Sequence, residues 1–139
     1  MTFEELDARY DNGFVDAVLL SATVDYEHRV ATLQLSLRGN PADSTDHDVY
    51  DKATLTLRSF YYFSMESPDP DFSYPMWAKI VPDGHPEDPS KFPLFERLKP
   101  TLPISAFCCR FFVHNWNSFI HVAAGEAEFS WVTKDAENA

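Results

Sequence analysis

The chain reads as a mainly β domain, an antiparallel sheet or sandwich of about five to seven strands with a short N-terminal helix. Three observations predict it. Apolar and polar residues alternate with a period of two, most cleanly in Ala31, Leu33, Leu35 and Leu37 against Thr32, Gln34, Ser36 and Arg38. Twelve Phe, six Tyr and three Trp suit the pleated surface of a sheet. The strand-like segments follow one another through hairpin-like turns, without the alternating helices of a parallel sheet. An α+β arrangement is the alternative.

At 139 residues the chain is long enough for one domain with its own core, and it contains no internal repeat. Its first segment, Thr2-x-x-Glu5, is a capping box, and Asn12-Gly13 supplies a stop, so a short helix is expected over 3–11. A first strand is expected over 14–26, with Phe14, Val18, Leu20, Val24 and Tyr26 on the buried face beside Asp16. Glu27-His28 then makes the turn into a second strand over 29–38, buried on one face only.

Gly39 to Asp48, with Pro41, is a loop. A third strand over 51–65 buries Ala53, Leu55, Leu57, Tyr61 and Phe63. The chain then changes character, because nine of its ten prolines lie between Pro68 and Pro103. Proline removes a ladder donor, so this stretch is not central strand throughout. Phe72, Tyr74, Trp77, Phe92, Leu94, Phe95 and Leu98 nevertheless anchor it, so it is read as irregular chain draped over the sheet. Within it, Tyr74 to Val81 is an interrupted edge strand, and Pro93 to Lys99 a short helix with proline in its first turn.

Ile104 to His114 is an apolar strand, followed by a turn at Asn115-Trp116-Asn117 and a last strand over 118–132. That strand changes phase: Ile120, Val122 and Ala124 share one parity, Ala127, Phe129 and Trp131 the other. Gly125 stands at the break, where a β-bulge resets the register.

Net charge is −11 with a pI near 4.6. Such a field repels phosphate backbones and anionic lipid surfaces, so nucleic acid and membrane surfaces are disfavoured partners and a basic protein is favoured. The acidic first residues have no apolar h-region, no apolar run is long enough to span a bilayer, and Cys108 and Cys109 have no third cysteine to pair with. A reducing cytoplasm is the expected setting. Dinucleotide and phosphate loops, CxxC and GxSxG motifs are all absent, which argues against an enzyme, and no cofactor is implied.

Four groups are singled out as candidate sites. Asp16, on an apolar face, is either an acid or ligand held for function or, the preferred reading, a carboxylate satisfied by hydrogen bonds at the strand entry. His114 and His121 flank the final turn and, with Asp16, form the candidate ligand-binding set. Metal-ligand spacings such as HxxEH are absent, so no metal is assigned. Cys108 and Cys109, on opposite faces of a strand among Phe107, Phe111 and Phe112, are read as packed rather than nucleophilic. Asn115, Trp116 and Asn117 are the candidate partner-binding tip, since Trp is enriched at binding hot spots, with self-association through this hairpin as one use. The alternative folds Trp116 back on its own sheet.

Gly13-Phe14-Val15-Asp16-Ala17 resembles the Phe-His-Asp-Ala opening of a group of small, uncharacterised bacterial proteins. Phe112-Val113-His114-Asn115-Trp116-Asn117-Ser118-Phe119-Ile120-His121-Val122-Ala123-Ala124 resembles their closing hairpin, and Tyr61-Tyr62-Phe63 through Pro68-Asp69-Pro70 fits the same pattern. A similar opening occurs in some immunity proteins of bacterial toxin systems. Val15 stands where the histidine of that opening usually is, which weakens any site built on it. The resemblance implies a bacterial domain of unknown function and supplies no reaction or catalytic residues; together with the −11 charge and the absent catalytic motifs it leads to the expectation of a non-enzymatic, immunity-like interaction protein with a basic partner. The rival expectation is a small-ligand- or metal-binding domain with its site on the sheet near Asp16 and His121.

Overall fold

The computed structural model describes residues 17–38, 50–71, 79–82, 93–113 and 116–132. The expected helix over 3–11, the loops over 39–48 and 83–88, and Asp16, His114 and Asn115 lie outside them. The described chain is mainly β and antiparallel. Its elements are β1 (Ala17–Asp25), β2 (Val30–Arg38), β3 (Tyr50–Met65), β4 (Lys79–Pro82), α1 (Pro93–Leu98), a 3-10 turn (Lys99–Thr101), β5 (Phe107–Val113) and β6 (Ser118–Trp131). Five strands of seven to sixteen residues make the sheet, and the four-residue β4 closes it.

The order round the sheet is β1-β2-β3-β6-β5-β4, and β4 returns to β1, so a single sheet forms a closed barrel rather than a sandwich. Closure corrects the place expected for the strand in the proline-rich stretch. β4 is no edge: Ile80 is opposite Ala17 on one side and Val113 on the other. None of the described helices is long and apolar enough to cross a membrane.

The barrel interior is filled by Ala17, Leu19, Ala31, Leu33, Leu35, Leu37, Ala53, Leu55, Leu57, Phe107, Cys109, Phe111, Val113, Ile120, Val122 and their neighbours. Its cross-strand rows follow the register. Leu19, Leu35, Ala53 and Trp131 lie in one row, and Leu33, Leu55 and Phe129 in another. β2 fulfils its alternation at every buried position. β1 does not follow the expected face. Ala17 and Leu19 point inward and Leu20, 49% exposed, alternates outward, after which the register slips between Leu19 and Ser21. A bulge inverts the parity of all that follows, so Val24 returns to the core.

The phase change in β6 is shared with β3. Ser59 adopts φ 52°, the left-handed region, directly across from Gly125, and the inward set passes from Leu57 to Phe60 on one strand as it passes from Ala127 to Ala124 on the other. A second slip follows between Phe60 and Tyr62. Tyr61 is consequently exposed, against expectation, and Phe60 takes the buried place. The β1–β2 turn folds onto this irregularity: Phe60 N–H donates to the Arg29 carbonyl at 3.1 Å, Tyr26 meets the Phe60 ring edge-on, and the Arg29 guanidinium lies over Tyr61.

Outside the barrel, α1 and the chain after it cover one patch of wall. Leu94, Leu98 and Leu102 press on Cys108, Ala123 and Tyr62. Pro93 opens the helix as expected, and after Leu98 the chain tightens into the 3-10 turn that contains Pro100. The strand expected from Ile104 begins instead at Phe107, since a turn closed by Ala106 N–H on the Pro103 carbonyl leaves Ile104 fully exposed.

Candidate functional site

Three strands present a continuous outer face where β3 ends and β6 begins. Ser64, His121 and Arg110 form one cross-strand row, and Phe119 and Phe112 lie opposite each other in the register toward the β5–β6 turn. Alternation places these side chains outward because Ile120, Val122, Phe111 and Cys109 point in. The Arg110 guanidinium sits 4.5 Å from the centre of the Phe119 ring, an arrangement that holds a cation against an apolar surface. Phe119 also stacks at an angle on Phe112 (5.0 Å) and on His121 (5.8 Å).

Beyond β3 the chain keeps alongside this face. Glu66 N–H donates to the Phe119 carbonyl at 2.9 Å, and Glu66 Oε1 accepts the Phe119 N–H at 2.8 Å. The second carboxylate oxygen, Oε2, lies 3.3 Å from His121 Nε2. Three residues on, Asp69 N–H donates to the Trp116 carbonyl, and Asp69 Oδ2 accepts from the Asn117 amide at 3.1 Å. Asp69 Oδ1 receives the Asp71 N–H, an Asx turn that shapes the exit between Pro68 and Pro70. Glu66, Asp69 and Asp71 thus rim the β5–β6 turn with three carboxylates.

Of the candidate ligand set, only His121 lies among the described residues. Its side chain is 14% exposed and engaged by Glu66. Among the described residues no three or more His, Cys, Asp or Glu side chains converge as a metal site would require. Trp116 is half-buried and packed against the barrel core, while Asn117, at φ 49°, is exposed at the turn. The two cysteines occupy opposite faces as expected, Cys109 inside the barrel and Cys108 under α1. Burial pushes the Cys108 thiol up to about 11 and raises Cys109 further still, so neither carries thiolate near neutral pH.

Glu66, Arg110, Asp69 and Asp71 were not singled out from the sequence. One signal was available for Arg110: an arginine between Cys109 and Phe111 must alternate outward if those two point in. Glu66 carried none, since its role depends on which strand β3 meets. Comparison with protein-family models, with curated proteins and with solved structures finds no match to this chain.

Proposed function

We propose that this chain is a non-enzymatic interaction domain, immunity-like, that receives a basic protein partner at the acidic rim of the β5–β6 turn. The distribution of charge carries the reading. Among the described residues, nine acidic side chains face eight basic ones; the remaining residues hold thirteen acidic and three basic. The barrel wall is therefore close to neutral, and the acidic excess belongs to the segments that join and flank its strands. Within the described residues, Glu66, Asp69 and Asp71 fall within six positions of one another, beside exposed Asn117 and half-buried Trp116. An aromatic anchor ringed by carboxylates suits a cationic surface, with charge setting the rate of encounter and the turn setting its register.

Retention of a basic protein on the immobilised chain at low salt, with release as salt rises, tests the proposal. Asp71→Lys is the informative variant, because among the described residues Asp71 is tied in through its backbone N–H and not through its side chain. The partner should be lost from Asp71→Lys and retained by the parent chain. A toxin gene adjacent to the coding sequence would name the partner. Failure to retain any basic protein at low salt overturns the reading.

A further inference from the structure

The strap of chain that crosses the outer wall from α1 to β5 has two faces of different character. Leu94, Leu98 and Leu102 turn toward Cys108, Ala123 and Tyr62, while Arg97, Lys99, Pro100, Pro103 and Ile104 are all exposed. Three hydrogen bonds fix its course. The Thr101 hydroxyl donates to the Leu98 carbonyl at 2.7 Å, Leu102 N–H to the Lys99 carbonyl at 3.3 Å, and Ala106 N–H to the Pro103 carbonyl at 3.0 Å. The rings of Pro100 and Pro103 fix two further backbone angles. Ile104 therefore projects, fully exposed, from a segment that has little freedom left to lose on binding.

The charge here is opposite to that of the molecule. The 29 residues from Arg97 to Gly125 contain no Asp or Glu, the longest such stretch in a chain of net charge −11, and they include Arg97, Lys99 and Arg110. The register brings the third cation to the border of the strap: Arg110 and His121 form the cross-strand row next to Cys108 and Ala123 on the same outer face. One exposed apolar side chain is ordinary on any surface. A rigidly held one, beside two exposed cations in the acid-free stretch of an acidic protein, has the makings of a contact.

We infer that the outer side of the strap is a second interaction surface, and that its partner is an acidic amphipathic peptide segment. The apolar side chains of that segment pack on Ile104 and Pro103, and its carboxylates meet Arg97 and Lys99. Charge complementarity selects this occupant. An anionic bilayer, being extended, faces the −11 field of the whole chain, whereas a short peptide meets the strap alone, since charges beyond about 8 Å are screened at physiological salt. The acidic rim concerns a partner of the opposite charge, so either reading can fail without the other.

Fluorescence anisotropy with a labelled glutamate peptide carrying leucine at every third or fourth position tests the inference, at about 0.15 M salt. The parent chain binds it, and Lys99→Glu and Ile104→Ser each weaken binding by about tenfold. Ile104→Ser is decisive, because it changes no charge. Leu20→Ser, at an exposed apolar position on β1, leaves binding unchanged. Circular dichroism of each variant secures the fold, as expected for exposed positions. A parent that does not bind the peptide overturns the inference, as does equal binding of a lysine and leucine peptide of the same pattern, or an Ile104→Ser variant that binds like the parent. Binding to anionic phospholipid vesicles in place of the peptide assigns the surface to a membrane and overturns it too.

Discussion

Glu66 holds Phe119 twice, once through its backbone N–H and once through its carboxylate, and so fastens the chain leaving β3 to the first turn of β6. The same carboxylate reaches His121, so one side chain orders both the backbone and the imidazole of the outer face. Glu66→Ala removes the acceptor from a strand N–H, and a loss of about 1 kcal/mol is expected, since the group is half exposed. Glu66→Gln keeps one carbonyl acceptor and should cost less. Urea midpoints at constant slope read the difference.

Asp25 should titrate below the ordinary carboxylate range. The His28 backbone N–H at 3.0 Å lowers its pKa most, and the His28 ring at 2.8 Å adds to it. A depressed folded pKa gives a contribution present above the unfolded value and lost as pH falls through the folded one. The β1–β2 turn should therefore loosen below about pH 4. A carbon-detected NMR titration of Asp25 checks the midpoint, and Asp25→Asn should flatten the acid dependence of the His28 amide shift.

Ser59 and Gly125 predict opposite tolerances at facing positions. Valine at Ser59 forces a β-branched residue into φ 52°, at a cost of about 1–2 kcal/mol. Alanine at Gly125 brings a Cβ only to 3.4 Å from the Ser59 Cβ, an ordinary contact. Gly125→Ala should thus be stabilising by roughly 0.5–1 kcal/mol through the unfolded chain. Thermal unfolding of the two variants beside the parent distinguishes a strained serine from a required glycine.

Both thiols should resist labelling in the native protein. Leu98→Ala thins the cover over Cys108 and should accelerate its modification, while Cys109 inside the barrel stays protected until the barrel unfolds. Mass mapping of the modified cysteine after a timed pulse gives the answer; equal labelling of both would mean that α1 does not shield the wall.

Trp116→Ala should lower the melting temperature, because the ring rests on the barrel core, with a loss of about 2 kcal/mol for a half-buried aromatic. Self-association should be unchanged by it, since the ring lies back on its own barrel. Sedimentation and thermal scans of the same preparation separate the two effects.

The legible parts of the fold are those where one face stays buried along a whole strand. β2 is such a case, and its four inward residues could be named from alternation alone. β1 was not legible as one face, because a bulge between Leu19 and Ser21 leaves no compositional mark and sets Ala17 and Leu19 inward before it and Val24 after it, so that no single parity fits the strand. Tyr61 failed because the inward set changes parity at Ser59, so that Phe60 and not Tyr61 faces the core. In the candidate site, His121 was visible as a polar residue in an apolar strand. Glu66, fifty-five positions away, was not, for only the β3–β6 register brings the two together.

The longest ladder has a consequence for how the barrel is made. β3 is shared between β2, its neighbour in sequence, and β6, the last described strand. Closing the first pairing needs a short loop, whereas the second must wait for everything from Glu66 to Asn117. While the chain is being synthesised, β1 to β3 can assemble as a meander whose Leu33, Leu35, Leu55 and Leu57 face has no lid. That leucine sheet is expected to bind a hydrophobic dye in a nascent fragment ending at Val113 and to lose it in the full chain. The interval before β6 emerges is thus the period of greatest exposure to aggregation, set by strand order and not by the final stability of the barrel.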